Sequence, residues 1–240
     1  MIILAIDTCG REGSLALVRA TDHDFETLEQ VSLAGRTYSA QVVPQLAAAL
    51  ERQELSKRAI DLYAVASGPG SFTGLRVGIA TVKALAEVFA KPVVEVSVLE
   101  AMAYAAKNAA YQPAIPSARV VAVLDAQRGE VYVGEYEIGP ELPKLEREVL
   151  MSQAEFIASV QAAEARVVTS DESVIAFLSQ ARVVAELNAR PTASMIAEIA
   201  GCKLRAGFTT APELLDANYI RRSDAEIFSA PKLGIVTDPR

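Results

Sequence analysis

An internal duplication of predicted strands and helices limits this chain to few folds. In the first half, apolar runs and turn residues predict elements in the order βββαβαβα. They are strands 2–6, 14–18 and 25–33, a helix 38–53, a strand 62–66, a helix from the following turn to residue 90, a strand 93–96 and a helix 99–109. The first strand leads into an aspartate, Asp7, and a turn that contains two glycines.

The second half predicts the same order. Its elements are strands 119–124, 130–138 and 146–150, a helix 152–160, a strand 166–169, a helix 173–179, a strand 182–185 and a helix 192–205. Its first strand also leads into an aspartate, Asp125. In each half the three consecutive strands can form an antiparallel meander, whereas strands joined by helical crossovers must be parallel. We therefore predict an α/β protein with one mixed sheet in each half.

A duplicated βββαβαβα unit is typical of the actin-like fold, which sugar kinases, Hsp70 and actin share. This fold is related to that of RNase H. In that fold two lobes face each other across a cleft, and the two hairpins that carry the aspartates turn towards it. By this analogy we predict an N-terminal lobe 1–110, a C-terminal lobe 111–228 and a mobile tail 229–240. Segment 218–222 is expected to be tied back onto the body. A fold alone does not give a function.

Charge and residue counts exclude several classes of protein. Because 51% of the 240 residues are hydrophobic, the chain can bury a core. Its formal net charge is −7, so it lacks the positive electrostatic field with which a protein binds nucleic acid by itself. One histidine, His23, is too few for a zinc site with a histidine pair and argues against a Ser-His-Asp triad. The cysteines, Cys9 and Cys202, do not suggest a disulfide framework and fit a reducing cytoplasm. We expect neither a signal peptide nor a membrane span.

A glycine-rich turn, Ser-Gly-Pro-Gly-Ser-Phe-Thr-Gly at 67–74, precedes the second helix. Its glycines, Gly68 and Gly70 among them, allow backbone angles that other residues avoid. Ser71 or Thr73 can cap the helix, and the N–H groups at its positive end can then bind an anion. The run lacks the lysine of a Walker loop and misses the dinucleotide fingerprint by one residue. The other interpretation is a tight turn that lets helix and sheet pack closely.

The helix after this turn is apolar over most of its circumference. Its charged residues, Arg76, Lys83 and Glu87, form one narrow stripe. Such a helix is buried on more than one side. The sheet covers one side, and either the helix at 38–53 or another subunit covers the rest. Phe72 favours a surface that a partner binds, because an apolar ring in a turn otherwise has little to pack against.

The two aspartates, Asp7 and Asp125, allow two interpretations. They can face each other across the cleft and hold a metal, as in a phosphoryl-transfer enzyme. Alternatively, each accepts backbone N–H bonds in its own hairpin turn. We favour the second, because ATP-using members of the fold clamp the nucleoside with a Gly-Gly turn. The matching segment, 169–173, has no glycine.

Four segments of the chain resemble the TsaB (YeaZ) family, which belongs to the bacterial machinery that makes threonylcarbamoyladenosine in tRNA. The matching segments are 3–8 (ILAIDT), 67–78 (SGPGSFTGLRVG), 124–132 (LDAQRGEVY) and 218–221 (NYIR). They occur in family order over nearly the whole chain. The glycine-rich run is highly specific, whereas the first and last segments are weak alone.

The resemblance implies a non-catalytic subunit that binds TsaD, the larger paralogue that transfers the threonylcarbamoyl group to a tRNA adenosine. TsaE, an ATPase, is expected to complete the complex, with ATP or ADP at the junction and no cofactor or metal of this chain's own. TsaD carries two metal-binding histidines four residues apart, whereas segment 36–41 here has none. Contact with tRNA is expected to be indirect, the location cytoplasmic and the isolated chain a homodimer.

Members of the TsaB family pair through their first two helices, with TsaD or with themselves. By this resemblance, the expected partner contacts are Phe72, Thr73, Gly74, Arg76, Gly78, Thr81 and Leu85. The candidate contacts to an anion or nucleotide are Asp7, Thr8, Gly68, Gly70 and Ser71. We expect an arginine at Gly78 or Leu85 to block the pairing and leave the fold intact.

Two other functions are open at this stage. An autonomous ATP-dependent small-molecule kinase would share the fold, although the missing glycine clamp argues against it. A glycopeptidase would need the metal-binding histidines that the sequence lacks. The favoured hypothesis is a subunit that is required for the tRNA modification and performs no catalysis itself.

Overall fold

The structure, a computed structural model, describes residues 1–35, 37–108, 119–162, 165–218 and 220. The first half contains β1 (Ile2–Asp7), β2 (Glu12–Ala20), β3 (Phe25–Ala34), α1 (Tyr38–Arg52), β4 (Leu62–Gly68), α2 (Phe72–Phe89), β5 (Val93–Ser97) and α3 (Val98–Asn108). The second contains β6 (Arg119–Gln127), β7 (Glu130–Ile138), β8 (Pro143–Ser152), α4 (Gln153–Gln161), β9 (Arg166–Thr169), α5 (Glu172–Gln180), β10 (Glu186–Leu187) and α6 (Ala193–Arg205). Short 3₁₀ turns lie at Lys57–Ala59 and Pro212–Leu214. The predicted lobe boundary at 110 and the predicted tail 229–240 lie outside the described residues.

Each half builds a five-stranded mixed sheet, as the duplication predicts. The strand order is β3-β2-β1-β4-β5 in the first sheet and β8-β7-β6-β9-β10 in the second. In both sheets the meander strands pair antiparallel. The strands reached through helical crossovers pair parallel. In the ranges that the structure covers, no helix is long and apolar enough to cross a membrane.

The last strand of the second sheet lies later in the chain than predicted. The expectation of a strand at 182–185 is wrong, because β10 covers Glu186–Leu187. The N–H groups of Arg182 and Val183 donate instead to carbonyls in the last turn of α5. Arg182 has a left-handed φ of 57°, which reverses the chain at the end of this helix. The backbone can pair with β9 only after this reversal.

Helices α1 and α2 lie side by side on one face of the first sheet. Their inward positions recur at helical spacing, because each helix buries one apolar stripe. The buried residues are Tyr38, Val42, Leu46, Ala49 and Leu50 of α1 and Gly74, Leu75, Gly78, Ile79, Val82 and Ala86 of α2. Most of them join Tyr63 and Val65 of β4 in one hydrophobic cluster.

Helices α3 and α6 lie between the two sheets. The second-half helix α6 packs mainly on β1 and β2, whereas the first-half helix α3 packs mainly on β6 and β7. Residues from both sheets and both helices form one continuous buried cluster, with Ala5, Val96, Met102, Val120 and Ile199 among its members. A hinge movement between the halves would expose this cluster to water. The packing therefore holds the two halves together.

A polar cluster around Glu148 ties the end of the described chain to both sheets. The Glu148 carboxylate accepts hydrogen bonds from the side chains of Ser97, Tyr136 and Asn218. The Asn218 backbone N–H also donates to the carbonyl oxygen of Ser67, at 2.8 Å. The predicted attachment of segment 218–222 is thus confirmed at Asn218. Burial and the neighbouring Glu148 raise the pKa of Tyr136, so its hydroxyl remains a donor.

Replacing Glu148 with alanine is expected to lower the free energy of unfolding by about 1–3 kcal/mol, because the buried Tyr136 hydroxyl loses its acceptor. Urea denaturation of the purified variant measures this loss. Glu137→Ala is the matched control, since Glu137 lies exposed on the same sheet and, among the described residues, pairs only with Lys144, at 3.8 Å. The control should change stability by less than about 1 kcal/mol. Equal effects of the two variants would contradict a stabilising role of the cluster.

Candidate functional site

The glycine-rich turn joins β4 to α2. Gly68 has a φ of 113°, in the region that favours glycine. The Ser71 hydroxyl accepts the backbone N–H of Gly74 at 3.3 Å and so caps α2. The Ser71 N–H donates to the carbonyl oxygen of Cys9 at 2.7 Å. Ser71, and not Thr73, is therefore the capping residue, and the turn is held against the loop after β1.

Three glycines let the turn and α2 lie directly against the end of β1. A Cβ atom at Gly70 would lie 2.2 Å from the carbonyl oxygen of Cys9. A Cβ at Gly74 would lie 2.0 Å from the carbonyl oxygen of Thr8, and one at Gly78 would lie 2.5 Å from its Oγ1. The Thr8 hydroxyl donates to the Gly74 carbonyl at 2.7 Å. The interpretation of the run as a close-packing turn is confirmed, whereas anion binding there stays a prediction.

The two aspartates accept hydrogen bonds within their own hairpins, as favoured above. Asp7 Oδ1 accepts the backbone N–H of Cys9, and Asp125 Oδ1 accepts that of Gln127, both at 2.8 Å. Buried Asp7 also faces Arg190, whose Nε lies 3.9 Å from its Oδ2. Among the described residues, no three His, Cys, Asp or Glu side chains are grouped so that they could hold a metal ion.

The outer sides of α1 and α2 form a broad uncharged surface, which we call the α1–α2 face. Helix α1 has no charged residue from Tyr38 to Leu50, and α2 has only Lys83 between Arg76 and Glu87. The exposed or half-buried residues of the face are Val43, Ala47, Thr73, Val77, Ala80, Thr81, Ala84, Leu85 and Val88. A helix that faces water usually carries charges on its outer side, and a wide apolar surface marks an interaction site.

The structure divides the predicted partner contacts into two sets. Those on the outer side of the chain, exposed or half-buried, are Phe72, Thr73, Arg76, Thr81 and Leu85. The Arg76 guanidinium lies over the Phe72 ring, 3.8 Å from its centroid. Gly74 and Gly78 are buried on the inner side of α2, against Thr8. The expectation that an arginine at Gly78 leaves the fold intact is therefore wrong.

The partner contacts predicted from the sequence do not include the exposed small and apolar residues of the face. They are Val43 and Ala47 of α1 and Ala80, Ala84 and Val88 of α2. Val43 is 61% exposed and Val88 is 75% exposed. The uncharged run in α1 is the signal that could have identified this surface. Thr81 and Leu85 are half-buried, whereas Ala80, Ala84 and Val88 are exposed, so much of the outer side of α2 is open.

A cavity of about 200 Å³ lies between α1 and α2, within the α1–α2 face. Its lining residues are Val43, Leu46, Ala47, Leu50, Lys57, Ile60, Tyr63, Thr81, Ala84 and Leu85. Tyr63 of β4 is fully buried, and among the described residues its hydroxyl has no hydrogen-bond partner. Burial raises the pKa of Tyr63 to about 12, so the hydroxyl is protonated at neutral pH.

Comparison with known proteins gives consistent matches. The protein-family model "TsaD: tRNA N6-adenosine threonylcarbamoyltransferase" matches residues 30–227. The tRNA threonylcarbamoyladenosine biosynthesis protein TsaB of Escherichia coli is 37% identical over 139 residues, which cover 57% of this chain and 55% of that protein. TsaB of Bacillus subtilis is 31% identical over 137 residues, which cover 57% and 56%. The match thus spans little more than half the length of these relatives.

Solved structures match over more of the chain. One, described as an uncharacterized protein with similarity to peptidase YEAZ from Pseudomonas aeruginosa, has a TM-score of 0.74 and 25% identity. It covers 92% of this chain and 99% of that one. YeaZ from Pseudomonas aeruginosa has a TM-score of 0.72 at 24% identity and covers 91% and 99%. The predicted actin-like fold, with its two mixed sheets, is confirmed.

Proposed function

This chain belongs to the TsaD family and, within it, to the TsaB (YeaZ) proteins, and from that premise we propose that it is a non-catalytic subunit required for threonylcarbamoyladenosine formation in tRNA. In this proposal it binds and supports a TsaD protein, which carries out the transfer. The relatives' description as threonylcarbamoyladenosine biosynthesis proteins supports the process. The net charge of −7 fits a subunit that meets tRNA through its partner.

The α1–α2 face is the observation that carries the proposal. It combines an uncharged α1 surface with exposed valines at Val43 and Val88 and small residues at Ala80 and Ala84. Small side chains let a partner helix approach closely, and the centres of protein interfaces are depleted in charged residues. A pair of helices from TsaD fits this surface best, and a second copy of this chain is the alternative occupant when TsaD is absent.

A supporting rather than a catalytic role agrees with the interior of the molecule. The carboxylates of Asp7 and Asp125 are engaged by backbone N–H groups of their own turns. The sequence has a single histidine, His23, so it cannot supply a metal-binding histidine pair. The buried cluster shared by both halves opposes the closing movement with which enzymes of two lobes enclose a substrate.

We also propose that a TsaE ATPase joins the complex, with ATP or ADP at the junction. The glycine-rich turn is the candidate contact. Of its residues, Gly70 and Ser71 are exposed at the N-terminus of α2, where backbone N–H groups favour an anion. Asp7 and Thr8 are buried against the turn and Gly68 is buried within it, so we assign them the role of holding it in place.

Reconstitution of the reaction tests the proposed function. Purified TsaD and TsaE from the same source are mixed with tRNA and the threonylcarbamoyl donor, with and without this chain. Transfer to tRNA is expected only when this chain is present, because TsaD needs the contact with the α1–α2 face. Full transfer without it would contradict a required role. ATP turnover by the isolated chain that disappeared in Asp7→Ala would instead support an autonomous kinase.

A further inference from the structure

The cavity between α1 and α2 has a buried floor and an exposed rim. The floor consists of the buried lining residues Leu46, Leu50, Ile60 and Tyr63. The rim consists of the exposed lining residues Val43, Ala47, Lys57 and Ala84. The cavity is therefore accessible to a side chain that approaches the α1–α2 face from outside.

The side chains inside the cavity offer no hydrogen bond to an occupant. The Thr81 hydroxyl already donates to the carbonyl oxygen of Val77, at 2.8 Å, and the Tyr63 hydroxyl oxygen has almost no accessible surface. Apart from Lys57 at the rim, the other lining side chains are aliphatic. A polar group that entered would lose its hydrogen bonds to water without replacement, so the cavity selects an apolar occupant.

The size of the cavity limits this occupant to one large side chain. Its volume of about 200 Å³ is below the range of about 300–1,000 Å³ typical of small-molecule pockets. An apolar cavity of about 150 Å³ in another protein holds one benzene molecule. A leucine, methionine or phenylalanine side chain therefore fits this space.

The rim adds a charge to the apolar cavity. Among the described residues that line it, only Lys57 is charged. Lys57 is exposed, and within the described part of the chain it forms no hydrogen bond or ion pair. A carboxylate on a docking partner would meet a complementary charge at this position, and such charges at the rim of an interface orient the partner.

We propose that a helix of the bound TsaD protein inserts one leucine-sized or aromatic side chain into this cavity and places a carboxylate beside Lys57. This inference rests on the proposed function, because the cavity opens on the surface to which TsaD is expected to bind. The inserted side chain is the anchor of the contact, since side chains that fill desolvated pockets contribute most to binding. The carboxylate lies three or four residues from it, on the same side of the partner helix.

Filling the cavity from within this chain tests the insertion. Thr81→Phe adds a ring from the α2 side, and Ala47→Leu adds an aliphatic side chain from the α1 side. The new side chains bury apolar surface, so the thermal unfolding midpoint should rise by about 2–6 °C. The dissociation constant for TsaD, measured by isothermal titration calorimetry, should rise about 10–100-fold, because the anchor loses its place. If neither variant raises the midpoint, or neither weakens binding, the inference is overturned.

Truncation of TsaD separates insertion from mere bulk at the interface. Each large apolar residue on the first two helices of TsaD is replaced with alanine. One of these TsaD variants should bind the wild-type chain weakly and bind Thr81→Phe more tightly than wild-type TsaD does, because the new ring occupies the space of the anchor. Ala80→Leu is the matched control, since Ala80 is exposed on α2 and does not line the cavity. The same TsaD variant should not improve binding to this control. Absence of such a compensating variant would overturn the insertion.

Reversal of the charge at the rim tests the carboxylate. Lys57→Glu should slow association with TsaD about 10-fold at low salt and less at high salt, as measured by stopped-flow mixing. Lys144→Glu is the control, because Lys144 is exposed on β8 of the second sheet and should not affect association. Equal association rates of the two variants would contradict a carboxylate beside Lys57.

Self-association distinguishes the two candidate occupants of the cavity. If Thr81→Phe lost self-association in analytical ultracentrifugation but bound TsaD like the wild type, the occupant would be a second copy of this chain and the inference would be overturned. Absence of TsaD binding by the wild-type chain would instead overturn the proposed function itself.

Discussion

A chain with alanine in place of Gly74 is expected to be clearly less stable than the wild type. The new Cβ would lie 2.0 Å from the carbonyl oxygen of Thr8, an atom that the backbone at the end of β1 holds in place. Relief requires a shift of the whole start of α2, because neither contacting group is the end of a flexible side chain. Overpacking typically destabilises by about 1–3 kcal/mol, and a contact this short with the backbone belongs at the upper end, against a total of about 5–15 kcal/mol. Thermal unfolding followed by circular dichroism measures the loss.

Gly207→Ala is the control for this experiment. Gly207 has a φ of 85° and nothing within 4 Å of an added Cβ, so only the backbone angle is disfavoured. That penalty is about 1–2 kcal/mol. Helix propensity by itself would make Gly74→Ala stabilising by up to about 1 kcal/mol. A Gly74→Ala chain as stable as the wild type would therefore contradict the close contact between α2 and Thr8.

Arginine in place of Ala84 is expected to abolish the complex with TsaD without unfolding the chain. Ala84 is exposed in the middle of the α1–α2 face, so the longer side chain can extend into water in the free protein. In the complex it would bring an unpaired charge into an apolar interface. A buried unpaired charge costs about 3–5 kcal/mol, which corresponds to at least about 100-fold in the dissociation constant. Calorimetry and the reconstituted transfer reaction should show parallel losses.

Ala158→Arg provides the matched charge on another exposed helical alanine, on α4 of the second half. This variant should bind TsaD and support transfer like the wild type. Both variants should keep the wild-type circular dichroism spectrum and unfolding midpoint. Unchanged binding by Ala84→Arg would show that the partner uses another surface. Failure of Ala158→Arg to bind would show that added charge, rather than its position, causes the loss.

Most of the fold could be predicted because it depends on local pattern. The buried β1 reads as an apolar run that ends at Asp7, and its counterpart in the second half ends near Asp125. The chain order then leaves few ways to pair the strands. The sequence placed strand β10 too early, because Arg182 and Val183 form hydrogen bonds that end helix α5 instead of pairing with β9. The hydrogen bonds at the end of a helix depend on the backbone conformation there, and the pattern of apolar residues does not predict that conformation.

The site was less predictable, because it depends on which side of a helix meets which neighbour. The helical repeat places Gly74 and Gly78 in one row, but small residues suit both a partner surface and a close contact within the chain. The structure assigns them to the second, against Thr8. That the Tyr63 hydroxyl has no hydrogen-bond partner among the described residues could not be anticipated, since it depends on the packing around a buried side chain. The Glu148 cluster joins residues far apart in sequence and leaves no local pattern.

The ribosome makes β1 and β2 before α6, yet α6 is the helix that packs most extensively on both strands. Until residues 193–205 have emerged, β1 and β2 lack the helix that covers Ile3, Ala5 and Ala16 in the described structure, although α3 already packs on β4 and β5. The nascent first half is therefore not an independent folding unit, although its order of strands is complete. Exposed apolar strands of this kind aggregate or bind chaperones. Burial of β1 and β2 thus depends on the synthesis of residues 193–205.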